Sequence, residues 1–190
     1  SSVWLGEGAK ATGNKVYTID PHQDDENTFK ELQNNIKQAG LGGNVIPIKG
    51  TSEGVASNWN LPVSFLFIDG NHEYEFVKKD FDLWSKFLMN GGMIAFHDST
   101  SCLSKGLTGY YDVKKVVNDC IFDFDMYKDI KVVDTITCAR KSEIITKNEA
   151  MRKKWVKFKK AWSDIIPNAA RFPKPIKTIG KKLLRVIIKT

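Results

Sequence analysis

Two strand-like apolar runs, each ending in an acidic residue and separated by a helix-like segment, constrain the fold of this chain most strongly. Residues 63–68 (VSFLFI) and 93–96 (MIAF) are rich in the β-branched and aromatic residues typical of buried strands. Segment 73–88 repeats apolar residues at helical spacing, and a Gly-Gly pair at 91–92 predicts its end. A strand, a helix and a second strand predict a crossover in a parallel sheet, with both strand ends at one edge.

Four polar residues lie at the predicted ends of these two strands. They are Asp69, His72, His97 and Asp98. Open α/β sheets bind their ligands at the carboxyl ends of the strands, so these side chains are expected to share one crevice.

The remaining segments extend the alternation of strands and helices. Residues 15–19 predict a strand that ends at Asp20, and 28–39 predict a helix that starts with a Thr28–Glu31 capping box. Residues 44–48 predict an edge strand, because Pro47 has no N–H for a second partner.

Downstream, residues 110–121 predict a helix with Val113, Val116, Val117 and Cys120 on its inner face, and 130–139 predict one or two final strands. The alternation predicts an α/β fold with a doubly wound sheet.

Length and composition favour one globular domain with an appended tail. The chain has 190 residues, of which 42% are hydrophobic, and no run reaches the roughly 18 apolar residues of a membrane span. The start of the chain has no signal-peptide pattern, so a cytoplasmic location is expected. Three widely spaced cysteines without a C-x-x-C pair argue against a structural zinc site or a disulfide framework.

Charge is distributed very unevenly along the chain. Residues 1–139 contain 13 Lys, no Arg and 19 acidic residues, a net charge of −6, whereas 140–190 contain 16 basic and 3 acidic residues, or +13. An acidic domain, 1–141, therefore carries a basic tail, 142–190.

The tail is predicted to be helical and amphipathic. An apolar stripe follows helical spacing, and its members are Met151, Trp155, Phe158, Trp162 and Ile165. Pro167, Pro173 and Pro175 interrupt the chain before a second helical pattern over 176–189. Such helices bind an anionic membrane surface or a partner groove; the alternative is that the stripe docks on the domain itself or on a sister copy in a homo-oligomer. Nucleic acid is disfavoured, since the sheet domain is acidic.

The residues around the two strand ends resemble class I S-adenosylmethionine-dependent methyltransferases, and most closely the group of cephalosporin-hydroxylase-like and macrocin-type O-methyltransferases. The resemblance covers roughly residues 1–141 and rests on a combination of short segments. They are Ile68-Asp69-Gly70-Asn71-His72-Glu73-Tyr74, Asp80, Gly91-Gly92-Met93-Ile94 and Phe96-His97-Asp98.

The resemblance implies a Rossmann-like sheet and a cofactor site. Asp20 matches the acidic residue that binds the cofactor ribose, and Thr51 and Ser52 lie where the family contacts the adenine ring. Asp69 is expected to contribute to the same site. The alternatives are a turn aspartate at position 20 and ordinary turn residues at 51 and 52.

The resemblance also implies that the family's first strand and glycine-rich loop precede Ser1. The sheet is therefore expected to lack its first strand, and the chain to be a fragment. Unpaired buried backbone groups cost on the order of 1–3 kcal/mol each, so poor stability or weak cofactor binding is expected.

The chemistry expected at the strand ends is methyl transfer to a hydroxyl group of a small molecule or glycan. Asp69 and Asp98 are candidate ligands of Mg²⁺ or another divalent cation, with His97 as a third ligand that favours a softer metal. His72 is the candidate general base, since imidazole titrates near neutral pH. The alternative for His72 is a cap of the helix that follows it.

Two other functions fit parts of the sequence. A dinucleotide-binding oxidoreductase would also place an acidic residue such as Asp20 at a strand end. A membrane-surface binding module would depend on the basic tail alone, and an enzyme that acts on membrane-linked glycans would use both features.

Overall fold

The computed structural model describes residues 2–22, 26–100 and 111–165, apart from the side chains of residues 26 and 162–165. Helices and strands alternate through most of this part of the chain, as predicted. Their bounds are α1 Ser2–Lys10, β1 Val16–Asp20, α2 Glu26–Gln38, β2 Val45–Lys49, α3 Ser52–Ala56, β3 Val63–Ile68, α4 Tyr74–Trp84, β4 Leu88–Phe96, α5 Tyr111–Val117, a π-helical turn Asn118–Phe122, β5 Tyr127–Val133, β6 Ile136–Lys141 and α6 Lys147–Ile165. Among these helices, none is both long and apolar enough to cross a membrane.

The chain divides into two compact units. The first comprises residues 1–61 and 82–87, and the second comprises 62–81 and 88–190. In the first unit, β1 and β2 form a parallel pair, with Pro47 opposite Thr18. Ile36, Leu41 and Val45 are the buried core of this unit.

The second unit contains a four-stranded sheet in the order β3-β4-β6-β5. β3 and β4 are parallel, while β6 is antiparallel to both β4 and β5. The predicted inner face of α5 and the turn after it is buried against this sheet; it consists of Val113, Val116, Val117 and Cys120. The start of the predicted helix, Tyr110, lies outside the described residues.

The boundary between α4 and β4 differs from the sequence prediction. Leu88 was expected on the helix, but it starts β4, pairs with Val63 and is buried. The predicted Gly-Gly stop lies inside β4, where Gly91 has a φ of +82° and the β3–β4 register shifts. Pairing with β3, a contact distant in sequence, therefore outweighs the helical spacing of residues 87 and 88.

The predicted capping box at Thr28 is also wrong. Helix α2 begins at Glu26, so Thr28 lies within its first turn. The Thr28 hydroxyl is instead 2.7 Å from Nδ1 of His22, a residue just beyond β1.

Helix α6 begins with a capping box that the sequence analysis did not identify. Glu149 accepts hydrogen bonds from the backbone N–H and the hydroxyl of Thr146, and the Glu149 N–H donates back to the Thr146 hydroxyl at 3.3 Å. Within the second unit, the helix packs on the rest of the fold through Lys153, Val156 and Lys160, and not through Met151, Trp155 and Phe158 of the predicted apolar stripe. The side chains of Trp162 and Ile165, and the second helical pattern over 176–189, lie outside the described residues.

Candidate active site

Parallel pairing of β3 and β4 brings the two strand ends together. The backbone N–H of His97 donates to the carbonyl of Ile68 at 3.0 Å, which continues the pairing one residue beyond β4. Asp69 and His97 therefore follow directly from adjacent strands, as the sequence predicts.

Two imidazoles and two carboxylates form a connected cluster at this edge. Nδ1 of His97 lies 3.1 Å from Oδ1 of Asp69 and 3.1 Å from Oδ2 of Asp98. Nε2 of His72 lies 3.3 Å from the same Oδ2 of Asp98. The His72 side chain is 45% exposed and the Asp98 side chain is 14% exposed, so a partly exposed imidazole faces a largely buried carboxylate.

His97 lies close to the carboxylates of Asp69 and Asp98, but these contacts do not have hydrogen-bond geometry. Its Nδ1 atom is buried and has no hydrogen-bond partner among the described residues, although two carboxylate oxygens lie at 3.1 Å. The ring also packs edge-on against Phe67 of β3, with centroids 6.2 Å apart. His97 thus occupies the space between Asp69 and Asp98.

Asp98 adopts an uncommon backbone conformation. Its φ is +48°, in the left-handed region that Asp and Asn enter more readily than other non-glycine residues. The next residue, Ser99, is fully buried, and its N–H donates to the carbonyl of Thr135 at 2.8 Å. This anchor holds the strained tip of β4 in place and turns the Asp98 carboxylate towards both histidines.

Asn71 and Asp112 accept backbone N–H groups at the start of helix α4. Oδ1 of Asn71 accepts the N–H of Glu73 at 2.8 Å, and Oδ2 of Asp112 accepts the N–H of Tyr74 at 3.3 Å. These two contacts leave the His72 ring directed at Asp98. Asn71 and Asp112 were not among the predicted site residues, although Asn in an Asp-Gly-Asn-His turn is a recognisable turn signal.

A polar network ties the start of α4 to α5. The hydroxyl of Tyr74 donates to Oδ2 of Asp119 at 3.0 Å, and Nζ of Lys115 donates to the same oxygen at 2.9 Å. Lys115 also lies 3.9 Å from the centroid of the Tyr74 ring. The hydrogen bond from Lys115 holds the pKa of the Asp119 carboxyl below its usual range, and the same bond raises the pKa of Lys115. Tyr74 therefore positions the loop that carries His72.

In the first unit, Asp20 lies at the end of β1 as predicted. Its Oδ1 accepts the N–H of His22 at 2.7 Å, and His22 has a φ of +48°. The Asp20 side chain is more than half exposed, whereas His22 is almost fully buried beside Phe29. Asp20 thus shapes a turn and still presents a carboxylate to solvent. His22 was missed by the sequence analysis.

Thr51 and Ser52 have structural contacts of their own. The Thr51 hydroxyl accepts the N–H of Gly54 at 3.1 Å and caps helix α3. The Ser52 hydroxyl accepts the indole N–H of Trp84 at 2.8 Å. Their predicted contact with an adenine ring is not tested by these bonds.

The predicted metal ligands are not arranged as a metal site. Throughout residues 2–22, 26–100 and 111–165, no group of three or more His, Cys, Asp or Glu side chains is placed to hold a metal ion. Nδ1 of His97 instead lies 3.1 Å from a carboxylate oxygen of Asp69 and of Asp98. The arrangement is therefore a carboxylate–imidazole cluster.

This chain is similar to one protein family and to several solved structures, all of them described as methyltransferases. Residues 1–99 match the model of a family described as "Methyltransferase domain". An O-methyltransferase from Bacillus cereus in complex with SAH is 17% identical, with 73% of this chain and 68% of that chain covered and a TM-score of 0.54.

Two further structures are similar to the same extent. TomG, an O-methyltransferase from Streptomyces achromogenes involved in tomaymycin synthesis and solved with SAM, is 16% identical over 74% of this chain and 67% of its own, with a TM-score of 0.55. The SAH-bound methyltransferase PaMTH1 from Podospora anserina is 18% identical over 72% of this chain and 64% of its own, with a TM-score of 0.55. These likenesses confirm the predicted Rossmann-like fold class.

Proposed function

Because this chain belongs to the methyltransferase-domain family, we propose that it transfers a methyl group from S-adenosylmethionine to a hydroxyl group of a small molecule or glycan. Membership of the family confirms the resemblance to methyltransferases. Two of the similar structures are O-methyltransferases, one solved with SAH and one with SAM, and this supports both the cofactor and the hydroxyl acceptor.

When bound, S-adenosylmethionine supplies a methyl group activated by a sulfonium sulfur. In the proposed reaction the acceptor oxygen forms a bond to the methyl carbon, the bond from that carbon to sulfur breaks, and its electron pair stays on sulfur. The protein must orient the acceptor and remove the hydroxyl proton. The residues for both tasks are proposed to be those at the ends of β3 and β4.

The contact that carries this proposal is the 3.3 Å approach of Nε2 of His72 to Oδ2 of Asp98. His72 is proposed to take the acceptor proton as a general base. Asp98 then orients the ring and places a negative charge beside the imidazolium that forms. Because His72 is nearly half exposed, an acceptor can approach it from solvent.

Asp69 and His97 form the second pair of the site. Asp69 is one-third exposed at the end of β3 and is proposed to face the cofactor and the acceptor, while Nδ1 of His97 lies 3.1 Å from its carboxylate. Asp20 fits a cofactor ribose, since its exposed carboxylate lies at the end of a parallel strand and one oxygen is fixed by the N–H of His22. Thr51 and Ser52 are proposed to line the adenine; each hydroxyl accepts one hydrogen bond from the protein and keeps its own O–H group to donate.

The two alternative functions are not favoured. The match to the methyltransferase-domain family argues against a function as a dinucleotide-binding oxidoreductase, which only Asp20 supported. A binding module without catalysis would leave the cluster at β3 and β4 without a role.

Transfer of a radiolabelled methyl group from S-adenosylmethionine to a panel of phenolic and glycan hydroxyls tests the proposed base. We expect His72→Gln to lower kcat by roughly a hundredfold or more, as loss of a general base does. Glu73→Gln, which alters the neighbouring exposed side chain, is the matched control and should retain activity. Asp69→Ala should abolish turnover; full activity in either site variant would contradict the assignment.

Calorimetric titration with S-adenosylhomocysteine tests the cofactor separately. We expect weak binding to the chain as it stands, tighter binding when the family's first strand and glycine-rich loop are added before Ser1, and loss of binding in Asp20→Asn. A folded, extended protein that does not bind this ligand would overturn the proposal. Turnover that requires added Mg²⁺ would return Asp69 and Asp98 to the role of metal ligands.

A further inference from the structure

Helix α6 presents an apolar and aromatic face to solvent. Met151 is 69% exposed, and Trp155 and Phe158 are each 55% exposed. Their spacing of four and three residues places them on one side of the helix. We call these three residues the outer face of α6.

The opposite side of α6 packs on the rest of the second unit. Lys153 and Lys160 are 6% and 4% exposed, and Val156 packs against the main core. Nζ of Lys153 donates to the carbonyl of Phe124, and Nζ of Lys160 donates to the Thr137 hydroxyl at 3.2 Å. The ammonium groups thus fix the rotation of the helix, and the outer face cannot turn inward without breaking these bonds.

The outer face is preorganised for contact with an apolar surface. The rings of Trp155 and Phe158 stack with centroids 5.8 Å apart and an interplanar angle of 19°. Nζ of Lys159 lies 5.3 Å from the Trp155 ring. Trp and Phe next to Lys are characteristic of helices at membrane–water interfaces, where the aromatic ring enters the apolar region and the ammonium group stays hydrated.

Basic residues flank the outer face on both sides. At 100° per residue, Lys147 and Lys154 lie along one border, and Arg152 and Lys159 lie along the other; the Arg152 guanidinium is also 3.9 Å from Asp129 of β5. The acidic Glu149 lies on the docked side, where it bonds to Thr146 and pairs with Lys128. The helix therefore combines an apolar strip with positive borders.

We propose that the outer face of α6 binds the surface of an anionic lipid membrane. The basic borders complement negatively charged headgroups, and the three apolar side chains enter the interface. A second copy of the chain is a poorer occupant, because a symmetric contact would bring two copies of α6 together, each with seven basic and two acidic residues and a net charge of +5.

Co-sedimentation of the full chain with vesicles tests this proposal. Phosphatidylcholine vesicles that contain phosphatidylserine are compared with pure phosphatidylcholine vesicles. We expect binding to the anionic vesicles only, with a partition coefficient that falls on the order of tenfold in the double variant Trp155→Ser, Phe158→Ser. Lys147→Glu with Lys154→Glu should weaken binding similarly, and added salt should weaken binding of the wild type.

The matched control removes one exposed Trp and one exposed Phe elsewhere. Trp4 in α1 is 83% exposed and Phe76 in α4 is 52% exposed, so Trp4→Ser with Phe76→Ser should bind like the wild type. Circular dichroism melts establish that each variant is folded.

Several outcomes would overturn the proposal. They are no binding by the wild type, equal binding to neutral vesicles, and unchanged binding in the α6 double variant. Dimerisation or single-stranded RNA binding that the same double variant abolishes, without vesicle binding, would assign the outer face to those partners instead.

Discussion

Lys160 of helix α6 donates a hydrogen bond from Nζ to the hydroxyl of Thr137 on β6 at 3.2 Å, and both side chains are buried. The Thr137 hydroxyl also lies 2.7 Å from Oγ of Ser99, the residue that follows Asp98. A short chain of polar groups thus connects the docked side of α6 with the tip of β4. The candidate active site and the basic helix share one buried anchor.

Thr137→Val should destabilise the protein. Valine matches the shape of threonine but leaves the buried Lys160 ammonium and the Ser99 hydroxyl without that oxygen, at a cost of about 1–3 kcal/mol. Urea denaturation measures the loss of unfolding free energy. Thr137→Ser keeps the hydroxyl and should lose less; a valine variant as stable as the wild type would contradict the role of the anchor.

Two substitutions at Asp98 separate its charge from its backbone conformation. Asn tolerates the left-handed region, so Asp98→Asn should retain stability and lose methyl-transfer activity. Asp98→Ala should lose activity and also about 1–2 kcal/mol of stability, because alanine is strained at a φ of +48°. Activity assays and urea titrations of both variants provide the test. An active Asn variant would remove Asp98 from the proposed mechanism.

The stability of the protein should fall in alkaline solution through Tyr127. Burial raises the pKa of Tyr127 from 10.0 to about 12, with a further contribution from Cys120. Between these values the unfolded chain releases the phenolic proton while the folded protein keeps it, so the free energy of unfolding decreases as pH rises.

Tyr127→Phe removes this contribution. As the pH rises from 10 to about 12, the unfolding free energy of the wild type should decrease relative to that of the variant by up to about 2–3 kcal/mol. Urea titrations at a series of alkaline pH values provide the measurement. A difference that stays constant with pH would show that the phenol does not titrate in this way.

Gly92→Ala should weaken the β3–β4 pair. A Cβ at this position would lie 2.9 Å from the carbonyl oxygen of Met89 and 3.1 Å from that of Ser64, and backbone atoms cannot move aside cheaply. We expect a loss of roughly 1–3 kcal/mol in thermal or urea unfolding. Gly8→Ala in α1 is the control, since a Cβ there meets open space and alanine should stabilise that helix by about 0.5–1 kcal/mol. Equal effects at both glycines would contradict this packing argument.

The local pattern of apolar residues and turn signals predicted the strands correctly where residues adjacent in sequence determine the structure. Strands β1, β2 and β3 lie within one residue of their predicted positions, because β-branched and apolar residues cluster there between turn signals. The pattern failed at Leu88 and Thr28. Leu88 joins β4 through its pairing with Val63, 25 residues away, and Thr28 contacts His22, which lies outside the helix, so in each case a partner beyond the local pattern prevails.

The candidate site was predicted in part. Strand-end positions indicated that Asp69, His72, His97 and Asp98 meet, and the distances of 3.1–3.3 Å confirm that they do. Their roles in binding and catalysis stay predictions, as does the boundary of the tail at residue 142. Which imidazole faces which carboxylate was not predictable, because it depends on the turn at Asn71 and on the conformation of Asp98.

By itself, the sequence determined the alternating α/β architecture, the acidic residues at the strand ends and the amphipathic, basic character of α6. These features follow from the periodicity and charge of neighbouring residues. Only the tertiary structure decided that Lys153 and Lys160 face inward while Trp155 and Phe158 face solvent. The physical reason is that the carbonyl of Phe124 and the hydroxyl of Thr137 bond to those ammonium groups, and acceptors so far away in sequence leave no periodic signal in the helix.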